Sequence, residues 1–201
     1  MRIKNLYFFN LLIFLWILAG ALLLFIFDFA SLHLALNRFH FPWLDFVMKY
    51  LTHLGDGIFF GLTVLFFIIK KKFRLSKILA ITGVAVLLCT QVLKRLVFHE
   101  ALRPVNFLDQ MPGLSLPEGV ELHQWFSFPS GHSASIFSLI TIAAFYYNKP
   151  WQQTLLFLTG LIVAYTRVYL SQHFFHDIWA GSLIGYALAV VTLYFTNPDS
   201  K

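Results

Sequence analysis

Three short segments hold the residue types that phosphoryl transfer requires. The first is Lys94-Arg95 followed by Arg103-Pro104. The second is Phe128-Pro129-Ser130-Gly131-His132-Ser133. The third is Arg167, five residues, His173, three residues, then Asp177. Charge on a transferring phosphoryl group spreads over its oxygens, so catalysis rests on cations and preoriented donors around them. Arg103 and Arg167 carry planar forks that grip two oxygens at once. Pro129-Ser130-Gly131 reads as a turn opening a helix, where the Ser130 hydroxyl and the backbone N–H groups meet an anion at the positive helix end. His173 and Asp177 are four residues apart and therefore neighbours on a helical turn. A carboxylate on one ring nitrogen fixes the tautomer and leaves the other nitrogen free to attack phosphorus. His132, on a different segment, is the candidate general acid for the leaving oxygen. Water then attacks the phosphohistidine. The set supplies everything phosphoryl transfer needs except a metal, and no cofactor is expected.

Each residue also has a plainer reading. A lone arginine near a helix end snorkels to lipid headgroups, but that account weakens when several cations gather on one membrane face. His132, His173, His176 and Asp177 form an acceptable zinc donor set, although neighbouring arginines repel a divalent cation. His176 is one residue from Asp177, a spacing that suits a helical contact poorly, and it reads as lining the pocket or the membrane interface. His99 and His123 read as polar loop residues. Thr52 and Asp56 lie in Thr-His-Leu-Gly-Asp-Gly at the start of an expected span, where a helix N-terminus accounts for an acid.

The elements that must carry these residues are membrane helices. Apolar residues make up 59% of the 201-residue chain and charged residues only 12%, against about 25% charged in soluble domains. A net charge of +6 is no sign of nucleic-acid binding here, because the basic residues are segregated along the chain. The single cysteine, Cys89, lies in an apolar run and excludes a disulfide framework. Spans of roughly 20 apolar residues are expected at about 5–27, 51–69, 78–98, 132–147, 151–170 and 178–195. Arg2, Lys4 and Ala19-Gly20-Ala21 resemble a signal peptide, but the apolar run continues to Phe27, long enough to span. Arg2, Lys4, Lys70, Lys71, Lys72, Arg74, Lys77, Lys149 and Lys201 fall on one side with one acid, Asp199. The other side holds eight acids and six basic residues. The positive-inside rule then makes both termini cytoplasmic and turns the three segments outward. Two outer connections, about 28–50 and 99–131, are long, as functional connections often are. The expected fold is an all-α membrane bundle of six helices, one domain over 1–201, with its active site at the outer face.

Taken together, the three segments resemble the signature of the type 2 phosphatidic acid phosphatase superfamily, which includes vanadium haloperoxidases and bacterial acid phosphatases. Pro129 to His132 match its Pro-Ser-Gly-His motif. Arg167, His173 and Asp177 match its Arg-x5-His-x3-Asp motif, with Thr166 where serine is usual. The resemblance implies a metal-free mechanism with His173 as nucleophile, Asp177 as its partner and His132 as acid. Phosphate binding then falls to Lys94, Arg103, Ser130, Gly131 and Arg167. The first motif departs from the pattern of lysine, six residues and Arg-Pro, since eight residues separate Lys94 from Arg103 and seven separate Arg95. Lys94 is favoured over Arg95, provided the helix ends or bulges near His99.

The implied substrate is a lipid phosphate or diphosphate whose tail stays in the bilayer. Undecaprenyl diphosphate, phosphatidylglycerol phosphate, phosphatidic acid and lipid A phosphate all fit. The remaining partners are membrane lipids, with no nucleic acid and no obligate protein partner evident. Short inner turns lean towards a bacterial inner membrane. A lipid phosphotransferase shares the first half-reaction, and a transporter with an intramembrane charged site is the non-enzymatic rival. Against the transporter, the polar residues gather at one surface, with no broken-helix pair or repeat.

Overall fold

The computed structural model describes residues 3–196, and every regular element among them is helical. Eight α-helices follow in order: α1 Tyr7–Ile26, α2 Phe29–Leu36, α3 Pro42–Leu51, α4 Gly57–Ile69, α5 Phe73–Val92, α6 Gly131–Tyr146, α7 Pro150–Tyr169 and α8 Phe175–Thr196. By length and apolarity α1, α5 and α8 qualify as membrane spans, and α3 with α4 forms a fourth candidate bent by 56°. α6 is apolar but only 16 residues long, and α7 has 20. Helices thus overlap all six expected segments, and two starts move by five residues or more: α5 begins earlier, at Phe73, and α4 later. The second segment is expected from 51 with Asp56 as its one interruption, but Thr52–Gly55 is a 3-10 turn and α4 starts at Gly57. Asp56 makes the break. Its backbone is extended, and its carboxylate accepts the Phe59 N–H at 2.8 Å, capping a new helix instead of continuing the old one. Of the charges behind the expected orientation, Arg2, Asp199, Lys201 and the Lys4 side chain lie outside the described residues.

The long connection at 28–50 folds into two short helices. Asp28 caps α2 by accepting from Ala30 N and Ser31 N, both at 3.0 Å. Pro42 opens α3, where a missing N–H costs nothing.

α6 is the central post, buried on nearly every side and packed against α5, α7 and α8. Its contact with α8 depends on glycine. A Cβ on Gly185 would lie 2.1 Å from the Ala134 carbonyl oxygen, and one on Gly181 would lie 2.4 Å from that of Ser130. Small residues let two membrane helices approach backbone to backbone. The approach carries the first turn of α8 against the start of α6, where Ser130 N donates to the Asp177 carbonyl at 3.0 Å. The second and third chemical segments are thereby joined.

Candidate active site

The nucleophile candidate, His173, sits in the tight loop between α7 and α8, not within a helix. Its backbone N–H and that of Gln172 both donate to the Arg167 carbonyl, at 3.1 and 2.9 Å, so the loop curls over the end of α7. Ser171 holds a left-handed φ of 52° to make the turn. His173 is 1% exposed and Asp177 fully buried. Asp177 Oδ2 meets His173 Nδ1 at 3.3 Å, accepts the Ser127 hydroxyl at 2.5 Å and accepts the Phe174 N–H at 2.9 Å. An acceptor-only carboxylate there places the ring proton on Nδ1 and leaves Nε2 with its lone pair. Burial presses the His173 imidazole well below its ordinary pKa, the Asp177 hydrogen bond resists, and the charges of Arg103 and Lys94 push it further down.

The cations surround that ring. A cavity of about 580 Å³ is lined by Lys94, Arg103, Gly131, His132, Arg167 and His173 together. Arg103 is held by three carbonyl or amide oxygens, with Nε to Trp125 O at 2.9 Å and Nη1 to Gln172 O and Oε1 at 2.9 and 3.2 Å. Burial lowers its guanidinium pKa, opposed by the charge of Asp177. Arg167 donates through Nη1 to Thr52 Oγ1 at 2.8 Å, while its Nε is buried without a partner.

Lys94 and Arg95 part company by a change of helix type. Leu93–Val97 forms a π-turn that ends at Phe98, and Arg103 follows in extended backbone. One extra residue per turn rotates successive side chains to a different face. Lys94 points into the cavity and donates to Phe126 O at 2.9 Å. Arg95 turns back along its own helix to Gln91 at 3.1 Å and lines only an adjoining outer pocket. The departure from motif spacing is thus absorbed by a bulge.

Residues 74–201 match the model of the PAP2 superfamily. The chain belongs to that superfamily. It is 29% identical over 161 residues to the lipid A 4'-phosphatase of Bacteroides thetaiotaomicron, covering 77% of this chain and 71% of that protein. The undecaprenyl-diphosphatase of Sulfolobus acidocaldarius is 27% identical over 161 residues, covering 79% and 74%. The crystal structure of Aquifex aeolicus LpxE superposes with a TM-score of 0.71 at 25% identity, over 84% of this chain and 97% of that one. A PAP2 type phosphatidylglycerolphosphate phosphatase from Bacillus subtilis shares the fold, with a TM-score of 0.67 at 24% identity, over 95% and 97%.

Two residues of this PAP2 site stand differently from the sequence-based expectation. The Ser130 hydroxyl does not line the cavity; it is fully buried and caps α6, accepting from Ser133 N at 3.4 Å and Ser133 Oγ at 3.1 Å. Of Ser130 and Gly131, Gly131 lines the cavity. His176 does touch its neighbour, with Nε2 3.0 Å from Asp177 Oδ1, in a geometry that makes an ion contact without a hydrogen bond. Its ring stacks on Phe174 at 5.5 Å. The zinc alternative needs several of these side chains around one point. Among the described residues no three His, Cys, Asp or Glu side chains are so arranged.

The PAP2 motifs do not announce the residues that support them. Ser127 and Gln172 adjoin motif residues, and adjacency is their one sequence signal. The other supports come from the connection between α1 and α4. Asn37 Nδ2 donates to Val168 O, Tyr169 O and Ser171 Oγ at 3.2, 2.7 and 3.2 Å. Tyr165 donates to Leu36 O at 2.7 Å, and Tyr169 to Asp45 at 2.5 Å. His33, fully buried, lies 3.5 Å from Ser171 Oγ. Residues 33–52 therefore splint the segment from Tyr165 to Ser171 that aims Arg167 and His173.

Proposed function

We propose that this protein hydrolyses a phosphomonoester or diphosphate on a membrane lipid through a phosphohistidine intermediate. The observation that carries the reading is the single cavity in which Lys94, Arg103 and Arg167 surround the unprotonated face of a buried, carboxylate-anchored histidine. The names borne by the two curated relatives point to the same class of substrate. The guanidiniums and the Gly131 backbone bind the phosphoryl oxygens. His173 Nε2 forms a bond to phosphorus as the bond to the leaving oxygen breaks, and His132 gives that oxygen its proton. Asp177 holds the Nδ1 proton and balances the imidazolium charge. Water then attacks the phosphohistidine while His132 takes one of its protons, releasing inorganic phosphate and restoring both rings.

The lipid tail has its own path. The same cavity continues between α4 and α5 along Gly57, Phe60, Gly61, Ala80 and Val84, and no atom lies within 4 Å of a Cβ built on Gly57 or Gly61. An apolar cleft leading from a cationic pocket suits a headgroup with its chain still in the bilayer. We further propose one domain over the whole chain and six crossings, α3 with α4 counting as one. Both termini are then cytoplasmic, and the phosphate pocket faces outward from a bacterial inner membrane. In support, Lys70 to Lys72, Arg74 and Lys77 lie at the opposite end of α5 from Lys94, about 30 Å away at 1.5 Å per residue.

The test is phosphate release by detergent-purified protein from undecaprenyl diphosphate, phosphatidylglycerol phosphate, phosphatidic acid and lipid A phosphate, with EDTA present. Release by wild type and none by His173→Ala is the expected result. Phosphate appearing on a second lipid instead of in solution would identify a phosphotransferase. Full activity in His173→Ala at equal expression would end the phosphohistidine reading.

A further inference from the structure

A second and larger cavity, of about 850 Å³, opens at the other end of the bundle from the phosphate pocket. Its α4 wall is Phe59, Thr63 and Phe67, four residues apart and so on one helix face. Ile140 and Ala143 of α6 form its floor, and the first turns of α5 close one side. From Phe59 to Lys71 it runs about 18 Å at 1.5 Å per residue. The length and the apolar walls match a lipid chain lying parallel to the helices.

Its mouth is cationic. Lys71 and Lys72, both exposed, line the end where α4 turns into α5. Lys71 adopts a left-handed φ of 56°, a conformation that costs a residue with a Cβ about 1 kcal/mol or more and a glycine almost nothing. The tightest position of the turn thus carries a lysine where glycine would fold more easily, and the ammonium stands at the rim. Basic residues beside an apolar cleft recognise anionic headgroups at a membrane surface. Because α5 separates this mouth from Lys94 by about a bilayer core, one lipid cannot occupy both cationic ends.

We propose that this cavity binds one anionic phospholipid from the leaflet opposite the catalytic pocket. Its phosphate rests on Lys71 and Lys72, and its chain lies between α4 and α6. The chain reaches Ile136, one turn below His132, and so supports the helix that the catalytic glycine and histidine open. The site needs no turnover and stands whether or not the phosphatase reading holds.

Native mass spectrometry of protein carried in nanodiscs of phosphatidylcholine with increasing phosphatidylglycerol tests the site, in a His173→Ala background so that no lipid is consumed. One phosphatidylglycerol per chain is expected to survive release from the disc, in preference to phosphatidylcholine. Removing both cations in Lys71→Ala with Lys72→Ala weakens that retention roughly thirtyfold, about fivefold for each lysine. Ala143→Trp fills the cleft from α6 and abolishes retention; should it not fold, Thr63→Phe fills it from α4. Equal retention of phosphatidylcholine, or retention untouched by the lysine pair and by filling, would overturn the proposal. So would loss of the lipid in Lys94→Ala with the lysine pair neutral, which would assign it to the phosphate pocket.

Discussion

Arg167 donates through Nη1 to the hydroxyl of Thr52 at 2.8 Å, and its Nε, equally buried, meets no acceptor. A buried donor without a partner is costly unless something binds it part of the time. The pairing therefore reads as an arginine steered by one arm so that the other edge is left for phosphate. Thr52→Val removes the steering contact and keeps the shape. A hydrogen bond to a charged group is worth about 1.5–3 kcal/mol, so kcat/KM should fall roughly tenfold to a hundredfold, and Thr52→Ser should restore most of it. Arg167→Lys, which keeps the charge and loses the fork, should be worse than Thr52→Val. Initial rates on a short-chain lipid phosphate decide the order.

Ser127 and His173 share one oxygen of Asp177. Ser127→Ala should lower kcat roughly tenfold, because the carboxylate loses its shortest donor and with it part of its orientation. Asp177→Asn should cost far more, of order a thousandfold, since an amide facing Nδ1 favours the tautomer with the lone pair on the wrong nitrogen. Equal losses in the two variants would show that Asp177 acts only through Ser127.

Stability should fall in mild acid. Burial pushes His33 down to about 4, and His173 well below its ordinary value. In the unfolded chain both rings take up protons near pH 6.5. Between pH 6.5 and about 4 the unfolded state therefore binds more protons than the folded one, and stability drops as pH falls through that window. His33 alone contributes about 3 kcal/mol of the loss. The melting temperature in detergent should decline from pH 7 to pH 4.5, and His33→Gln should decline less steeply. Parallel slopes for the two proteins would remove His33 from the account.

Gly185 brings α8 within backbone contact of α6 at Ala134. Gly185→Ala forces a methyl against a carbonyl that cannot swing away, so the helices must part. Overpacking of this kind costs about 1–3 kcal/mol. The first turn of α8 carries Asp177, so activity should fall further than the loss of folded protein explains. Residual kcat measured well below the new melting temperature separates the two effects.

The gathering of the second and third segments was legible because they are written in short spacings. Arg167, His173 and Asp177 lie within 11 residues, and Pro129 to His132 are consecutive. Local geometry brings such residues together on any path. The first motif was half legible: its irregular spacing required a bulge, and the π-turn at Leu93–Val97 supplies it. Ser130 was ambiguous, because a hydroxyl at a helix start serves an anion or caps the helix, and here it accepts from Ser133. The splint was invisible. Asn37 reaches Val168 across 131 positions, and nothing about an asparagine in an aromatic surface segment announces three carbonyl and hydroxyl partners. The cap at Asp56 was half legible, because a helix N-terminus was one of the two readings of that acid, and the Phe59 N–H it accepts decides for it.

The cleft between α4 and α5 opens sideways past Gly57 and Gly61, and in the proposed reading that side faces the bilayer. A ligand arriving by that door diffuses in a plane, and what the protein senses is crowding per unit of surface. Adding inert detergent at fixed total substrate should slow turnover in proportion to the surface added. Rates plotted against mole fraction should fall on one curve, and rates plotted against bulk molarity should not. Widening Gly61 to leucine should then penalise a long-chain substrate and spare a short-chain one that dissolves in water.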